Sequence, residues 1–324
     1  MPNQTVKRIG ILTSGGDGPG MNAAIRSVVR CAISQGLSVD GIIRGYKGLI
    51  EDEVISLNHR SVANIINRGG TILKTARCEE FKTDAGRARA VKTLNKHAID
   101  ALIVVGGDGS YRGAHALFER YGIPVIGLPG TIDNDLLGTD QTIGCHTAVH
   151  TALDAIDKIR DTANSMERIF VIEVMGNQSG YIALEVALGA GAEEVIVPER
   201  PFDYDVLCEN IRGGNKKGKL SWIIVVAEGA AKAPDVATMI HQKTGLETRF
   251  VVLGHVQRGG SPLSADRILA TRLGAVAVDL LVQGKFGKAA GVLQSEINVV
   301  DIAQAGKREN PHIDEYRHLI KLLT

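Results

Sequence analysis

Apolar residues in this chain gather in short runs, each closed by glycine, proline or an acid before apolar positions return every three or four residues. Residues 8–13, 37–43, 101–105, 124–128, 168–174, 195–198, 221–227 and 249–253 read as strands, and several are apolar almost throughout, as strands buried on both faces are. Helical periodicity covers residues 23–35, 85–97, 111–120, 147–163 and 264–282. The alternation predicts an α/β protein with a doubly wound, mostly parallel sheet. No fixed-period repeat, low-complexity stretch or Pro/Ser-rich linker interrupts it, so any domain division must be made by chain crossings.

Two strand ends concentrate reactive groups. The run 124–128 is stopped by Pro129 and Gly130, and Thr131, Ile132, Asp133, Asn134 and Asp135 follow. Open α/β sheets bind ligands outside the carboxyl ends of their strands, so a carboxylate here could act as a general base or reach a metal. An Asx-turn capping the next helix fits these residues equally well. The run 101–105 favours the functional reading, because it opens into Gly106-Gly107-Asp108-Gly109-Ser110 and then a helical pattern. Two strands thus end in glycine and acid at what could be one sheet edge. The first turn, residues 14–22, is also rich in glycine. It can cradle a phosphate on backbone N–H groups or be a tight βα turn, and its spacing meets neither the dinucleotide fingerprint nor the P-loop.

Three other stretches could carry chemistry. Gly213-Gly214-Asn215-Lys216-Lys217-Gly218-Lys219 has formal P-loop spacing, but Leu220 replaces the Ser or Thr that magnesium needs and the segment precedes a strand. Its lysines could hold an anion, although a solvated loop is the commoner explanation. His146 and His150 lie four apart with no third ligand nearby, which makes an ordinary helix face. His255 and Arg258 follow an apolar strand, and a guanidinium there suits a phosphate dianion, with a helix-capping loop as the alternative.

Composition narrows the partners. At 324 residues, 44% hydrophobic and net +1, the chain has the profile of a soluble globular protein of two domains or one large one. That neutral balance argues against nucleic acid. The absence of an apolar leader, a spanning run or a polybasic anchor argues against a membrane. Cys31, Cys78, Cys145 and Cys208 show no metal or redox spacing and read as reduced thiols of a cytoplasmic protein.

Five motifs change the picture from class to family. Thr13-Ser14-Gly15-Gly16-Asp17, Gly106 to Ser110, Pro129 to Asp135, Val174-Met175-Gly176 and Gly254-His255-Val256-Gln257-Arg258-Gly259-Gly260 resemble, in order and spacing, the bacterial ATP-dependent 6-phosphofructokinases over nearly the whole chain. Gly-Gly-Asp-Gly alone occurs also in NAD and lipid kinases, but that reading leaves Thr131 to Asp135 unexplained. The resemblance implies two doubly wound, three-layer (αβα) domains: residues 1–140 mainly a larger ATP-binding domain, 141–255 mainly a smaller sugar-phosphate domain, and 256–324 crossing back to complete the larger one. It implies phosphorylation of fructose 6-phosphate at the 1-hydroxyl by MgATP, the committed step of glycolysis.

Residue by residue, the resemblance assigns Gly16, Tyr46, Arg77, Cys78, Gly107, Asp108, Gly109 and Ser110 to ATP, with Asp108 holding magnesium. Asp133 matches the base, and Arg77 and Thr131 the groups that stabilise the transferring phosphoryl. Sugar-phosphate contacts fall on Thr131, Ile132, Asp133, Val174, Met175, Gly176, Glu228, His255 and Arg258, with Arg168 and Arg249 supplied by the adjacent subunit of a homotetramer. An effector site for ADP or phosphoenolpyruvate, also shared between subunits, falls on Arg26, Arg30, His59, Arg60, Arg160, Gly191, Glu193, Lys217 and Lys219. Two positions depart from the family: Asn177 stands where Arg is familiar, and His59 where an effector-binding Arg is usual. Pyrophosphate-dependent relatives typically carry Asp at position 109 and Lys at 130. Both are glycine here, which favours ATP over pyrophosphate. A regulatory subunit with a dead site is the remaining alternative, and intact Asp108, Asp133 and Arg77 speak against it.

Overall fold

A computed structural model of the chain describes residues 6–324. They form two compact units. Unit 1 holds the described residues through Ile132, then Leu136–Thr147 and Arg258–Arg308; unit 2 holds Asp133–Asp135, Ala148–Gln257 and Glu309–Thr324.

Unit 1 is built on seven strands: β1 (Arg8–Ser14), β2 (Ser38–Ile42), β3 (Val54–Leu57), β4 (Ala101–Gly106), β5 (Val125–Pro129), β10 (Lys288–Leu293) and β11 (Glu296–Asp301). They form one sheet in the order β11-β10-β5-β4-β1-β2-β3. All neighbours are parallel except the outermost pairs, where β3 runs against β2 and β11 against β10. The apolar runs alternate between two cores, as a strand's period of two requires. Ile9, Ile11, Ile103 and Val105 face one cluster, with Val28 of helix α1 (Met21–Ser34) and Leu273 of α9 (Ser264–Val282). Leu12, Leu102 and Val104 face the other, with Leu49 of α2 (Gly45–Glu51), Leu94 of α3 (Asp84–Lys96) and Leu117 of α4 (Asp108–Tyr121). The result is the expected three-layer arrangement. Helices α1 and α9 approach closely where Gly274 meets Ser27, whose hydroxyl donates to the Thr271 carbonyl at 2.7 Å.

Unit 2 has four strands, β6 (Ile169–Val174), β7 (Glu194–Ile196), β8 (Trp222–Ala227) and β9 (Thr248–Val252). They make a wholly parallel sheet in the order β7-β8-β6-β9. Helix α5 (Cys145–Met166) begins in unit 1 and continues into unit 2. On one face of the sheet Val171, Ile224 and Val226 pack on Leu207 and Ile211 of α7 (Tyr204–Lys216) and on Val236 and Ile240 of α8 (Ala233–Thr244). The opposite side is covered by α6 (Tyr181–Ala190) and α10 (Ile313–Leu323).

Three features differ from the sequence reading. Residues 309–324, expected in the larger domain, belong to unit 2, because amphipathic α10 buries Ile313 and Ile320 and packs on α6 and β7. The lysine-rich stretch read as a loop is helical through Lys216, the C-terminal turn of α7, where Gly214 lets the helix approach Trp222. Helix α4 begins at Asp108, so Asp108, Gly109 and Ser110 form its first turn.

Candidate active site

In unit 1 the sheet register sets three loops side by side. Ser14 pairs with Gly106, and Gly106 with Pro129, so β1, β4 and β5 end level with one another. The backbones then touch: Gly130 N–H donates to the Gly106 carbonyl at 3.1 Å, and the Ser110 hydroxyl to the Ser14 carbonyl at 3.1 Å. A Cβ on Gly106 would lie 2.6 Å from that Ser14 carbonyl oxygen, so only glycine fits. A Cβ on Gly107 would stand 3.6 Å from Cβ of Thr131, whereas Gly109 looks into open space. Helix α4 starts at this edge with Gly107, Asp108 and Gly109 accessible, so its first turn presents backbone N–H groups that suit phosphate, whereas the start of α1 is buried.

Side chains from elsewhere in unit 1 brace these loops. Arg258 lies across Gly16, where a Cβ would come within 2.5 Å of Nη1, and that nitrogen donates to the Asp17 carbonyl at 2.8 Å. The Thr75 hydroxyl donates to the Gly15 carbonyl at 2.7 Å. Tyr46 is buried, stacks on Phe81 with ring centroids 3.9 Å apart, and donates its hydroxyl to the Ser110 carbonyl at 2.6 Å. Burial holds its phenol well above the ordinary range. Tyr46 therefore supports the first turn of α4 from beneath. Arg77 is exposed and Cys78 half-buried, on the segment that follows β3.

Asp108 is partly buried and accepts from Arg112 Nη2 at 2.5 Å, one helical turn away. Among the described residues no group of three or more His, Cys, Asp or Glu could hold a metal by itself. A single carboxylate beside N–H groups that suit phosphate is nevertheless compatible with magnesium, which takes most of its ligands from phosphate and water. His146 and His150 sit on α5 outside any such group.

Ile132 packs under Gly18 and Gly144, where a Cβ would stand 3.3 Å from its methyl group. Gly144 and Thr147, at the start of α5, donate their N–H groups to the fully buried carboxylate of Asp266, each at 2.8 Å, and the Thr147 hydroxyl donates at 2.5 Å. Asn134 takes a left-handed conformation with φ 48°, which its short amide tolerates. Asp133 is partly buried.

In unit 2, β6 and β8 end level, Val174 opposite Ala227, and a turn at Met175, Gly176 and Asn177 follows β6. Its three successive N–H groups all go to side chains. Met175 donates to Gln257 Oε1 at 2.9 Å, while Gly176 and Asn177 donate to Glu228 Oε1 at 3.3 and 2.9 Å. Asn177 has φ 53°, and Gly229 is held to glycine by the Asn177 carbonyl. His255 is exposed on the short 3-10 turn Gly254–Arg258.

Arg168 and Arg249 lie elsewhere in this unit. Both pair with Glu247, at 3.0 and 2.6 Å, at the amino ends of β6 and β9. Hydrogen bonding from Arg168, foremost, holds the Glu247 carboxyl below its usual range. Strand β6 separates them from Met175 by its six residues, about 20 Å.

Part of the expected effector set lies together in unit 2. Arg160 Nη2 caps the end of α6 by donating to the Ala190 and Gly191 carbonyls at 2.8 Å each. Glu193 faces Lys219 Nζ at 3.4 Å and Arg160 Nη1 at 3.9 Å, and Lys219 lies over the Trp222 ring. Lys217 is exposed at the end of α7. The other four belong to unit 1: Arg26 and Arg30 are half-buried, one turn apart on α1, and His59 and Arg60 are exposed after β3.

Sequence reasoning missed the supports Gln257, Asp266 and Asn22, whose amide ties the Arg68 and Gly69 carbonyls and the Ile72 N–H. Gln257 lies inside one of the five motifs, but nothing in the sequence marks it as buried.

Residues 8–281 match the family described as Phosphofructokinase. The chain is 52% identical over 320 residues to the ATP-dependent 6-phosphofructokinase of Thermoanaerobacter pseudethanolicus, covering 98% of this chain and 100% of that one. It is 53% identical over 319 residues to ATP-dependent 6-phosphofructokinase 1 of Thermus thermophilus, covering 98% of each. The structure of phosphofructokinase from Saccharomyces cerevisiae superposes with a TM-score of 0.85 at 35% identity, covering 97% of this chain and 46% of the yeast chain, so this chain spans about half the length of that one. No helix among the described residues is long and apolar enough to cross a membrane. A family match across most of its length, with relatives more than half identical along nearly all of it, means that the chain belongs to the phosphofructokinase family.

Proposed function

We propose that this chain transfers the γ-phosphoryl group of ATP to the 1-hydroxyl of fructose 6-phosphate, yielding fructose 1,6-bisphosphate and ADP. The observation that carries the reading is the register that brings Ser14, Gly106 and Pro129 level, setting the phosphate-suited start of α4 beside the glycine turn after β1, at the edge from which the chain runs on through Thr131 to Asp133. Unit 1 is then the nucleotide domain and unit 2 the sugar-phosphate domain.

Gly16, Gly107, Gly109 and Ser110 bind the nucleotide, with Arg77 and Cys78 beside it and Tyr46 supporting Ser110. Asp108 would hold the magnesium ion that accompanies ATP and neutralises phosphate charge. Asp133 takes the proton from the sugar 1-hydroxyl as that oxygen bonds to the γ-phosphorus, and the bond from phosphorus to the bridging oxygen breaks to release ADP. Arg77 and Thr131 stabilise the phosphoryl in flight, where positioning and charge neutralisation supply most of the catalysis. Met175, Gly176, His255 and Arg258 hold the sugar phosphate. Glu228 gives one carboxylate oxygen to the 175–177 turn, leaving the other for sugar hydroxyls. Room beside Gly109 and a tight fit at Gly130, whose Cβ would stand 2.7 Å from Val105, favour ATP over pyrophosphate.

The active assembly is read as a cytoplasmic homotetramer. Arg168 and Arg249, remote from Met175 along β6, suit donation to a neighbouring copy. Edge strand β9 leaves Phe250 and Val252 half exposed, an apolar edge of the kind proteins cover. ADP and phosphoenolpyruvate are read as effectors at Arg160, Gly191, Glu193, Lys217 and Lys219, with Arg26, Arg30, His59 and Arg60 completing the site.

A coupled assay with fructose 6-phosphate, magnesium and either ATP or pyrophosphate tests the reading. Turnover is expected with ATP only, and Asp133→Ala is expected to lose a factor of about 10² to 10⁴ in kcat with ATP binding retained. Equal turnover of wild type and Asp133→Ala would remove Asp133 as the base.

A further inference from the structure

We infer that Gln257 is a positioning residue for the sugar phosphate, acting through the backbone of Met175; the inference rests on the proposed phosphofructokinase reaction. Strand β9 pairs with β6 through the Leu253 N–H, which donates to the Glu173 carbonyl at 3.0 Å. The chain then leaves the sheet at Gly254, with φ 54°. The next N–H of β6 on that side, Met175, has lost its strand partner, and the side-chain oxygen of Gln257 replaces it at 2.9 Å. Beyond Met175 the turn is held through Glu228, so Gln257 fixes where the turn departs from the sheet.

The energetics point the same way. Gln257 is fully buried, and its Nε2 has no hydrogen-bond partner among the described residues. A stranded buried amide donor loses its water without regaining a bond, so an apolar side chain would serve packing alone better. Because Met175 donates, the amide can present only its oxygen there, and the stranded Nε2 is the consequence of that orientation. A residue that keeps this cost marks a constraint other than packing. The constrained object is the Met175–Gly176 backbone, which faces the acceptor substrate and not the nucleotide.

The test compares wild type with Gln257→Met, which keeps the length and removes the acceptor, and Gln257→Glu, which keeps an acceptor oxygen for the Met175 N–H. KM for fructose 6-phosphate, KM for ATP, kcat and the thermal midpoint are measured for each. Gln257→Met is expected to raise KM for the sugar phosphate about tenfold, the worth of one such hydrogen bond, with KM for ATP changed less than about twofold. Gln257→Glu is expected to restore the sugar-phosphate KM. Should Gln257→Met fail to fold, Gln257→Asn carries the same expectation, since its amide falls one carbon short of Met175. Unchanged sugar-phosphate KM in the acceptor-deficient variant, equal shifts in both KM values, or no rescue by Glu would overturn the inference. Failure of wild type to turn over would instead remove the reaction on which it rests.

Discussion

Replacing Asp266 by Asn tests how the start of α5 is held. The wild-type carboxylate is fully buried and accepts from Gly144 N, Thr147 N and Thr147 Oγ1 at 2.8, 2.8 and 2.5 Å. Asparagine has the same shape but one acceptor oxygen. Its cheaper orientation turns that oxygen to Thr147 and its NH2 to the Gly144 N–H, leaving two donors face to face. Each stranded buried donor costs about 1–3 kcal/mol, and the two surviving bonds weaken from charge-assisted to neutral. No cationic side chain among the described residues bonds to Asp266, so the loss of its charge is offset only by an easier desolvation. The net expectation is a loss of about 3–5 kcal/mol, comparable to breaking a buried ion pair. At about 2–4 °C per kcal/mol for a chain above 150 residues, the thermal midpoint should fall by roughly 10 °C. Circular dichroism melts of wild type and Asp266→Asn at neutral pH measure it, and a shift below about 2 °C would refute the three-bond account.

Two further substitutions probe buried polar groups. The Tyr111 hydroxyl is buried without a partner among the described residues, and burial raises its pKa well above the usual phenol value; Tyr111→Phe should therefore raise the denaturant midpoint, by about 1 kcal/mol of stability, and a lower midpoint would reveal a bond from that hydroxyl. Glu194 on β7 is buried, and desolvation lifts its pKa above the ordinary value against the pull of Lys321 and Arg317 on α10. The folded chain thus holds this proton more tightly than the unfolded one, so the stability it contributes is present below the unfolded value of about 4.3 and lost as pH rises through the folded value. Glu194→Gln should melt above wild type at pH 7 and converge with it at about pH 4; a lower midpoint at pH 7 would mean that the α10 cations outweigh burial.

What can be read without coordinates follows from how strongly each segment constrains itself. Strands β1, β4, β5, β6 and β8 lie within sheets covered on both faces, so their apolar runs announce them. Strands β3 and β11, at the two edges of their sheet, are partly exposed and carry no such run, and β10, which pairs with β11, is built mainly of small residues; none of the three stands out in the pattern. Periodicity marks α4 only from Tyr111 because glycine weakens the helical signal even where it opens a helix. The five motifs identified the family because their glycines answer local demands: Gly106 has a carbonyl where its Cβ would be, and Gly16 has a guanidinium.

The sequence by itself determined the α/β class, the glycine-and-acid strand ends and the family, since each depends on residues close together in the chain. Tertiary structure alone decided the level register of β1, β4 and β5, the separation of Arg168 and Arg249 from Met175, the return of α10 to unit 2, and the hydrogen-bond partners of Gln257 and Asp266. These rest on partners tens to more than a hundred residues away, such as Asp266 with Gly144. A side chain's type states what it can bond, and only the fold states which distant backbone will be left needing that bond.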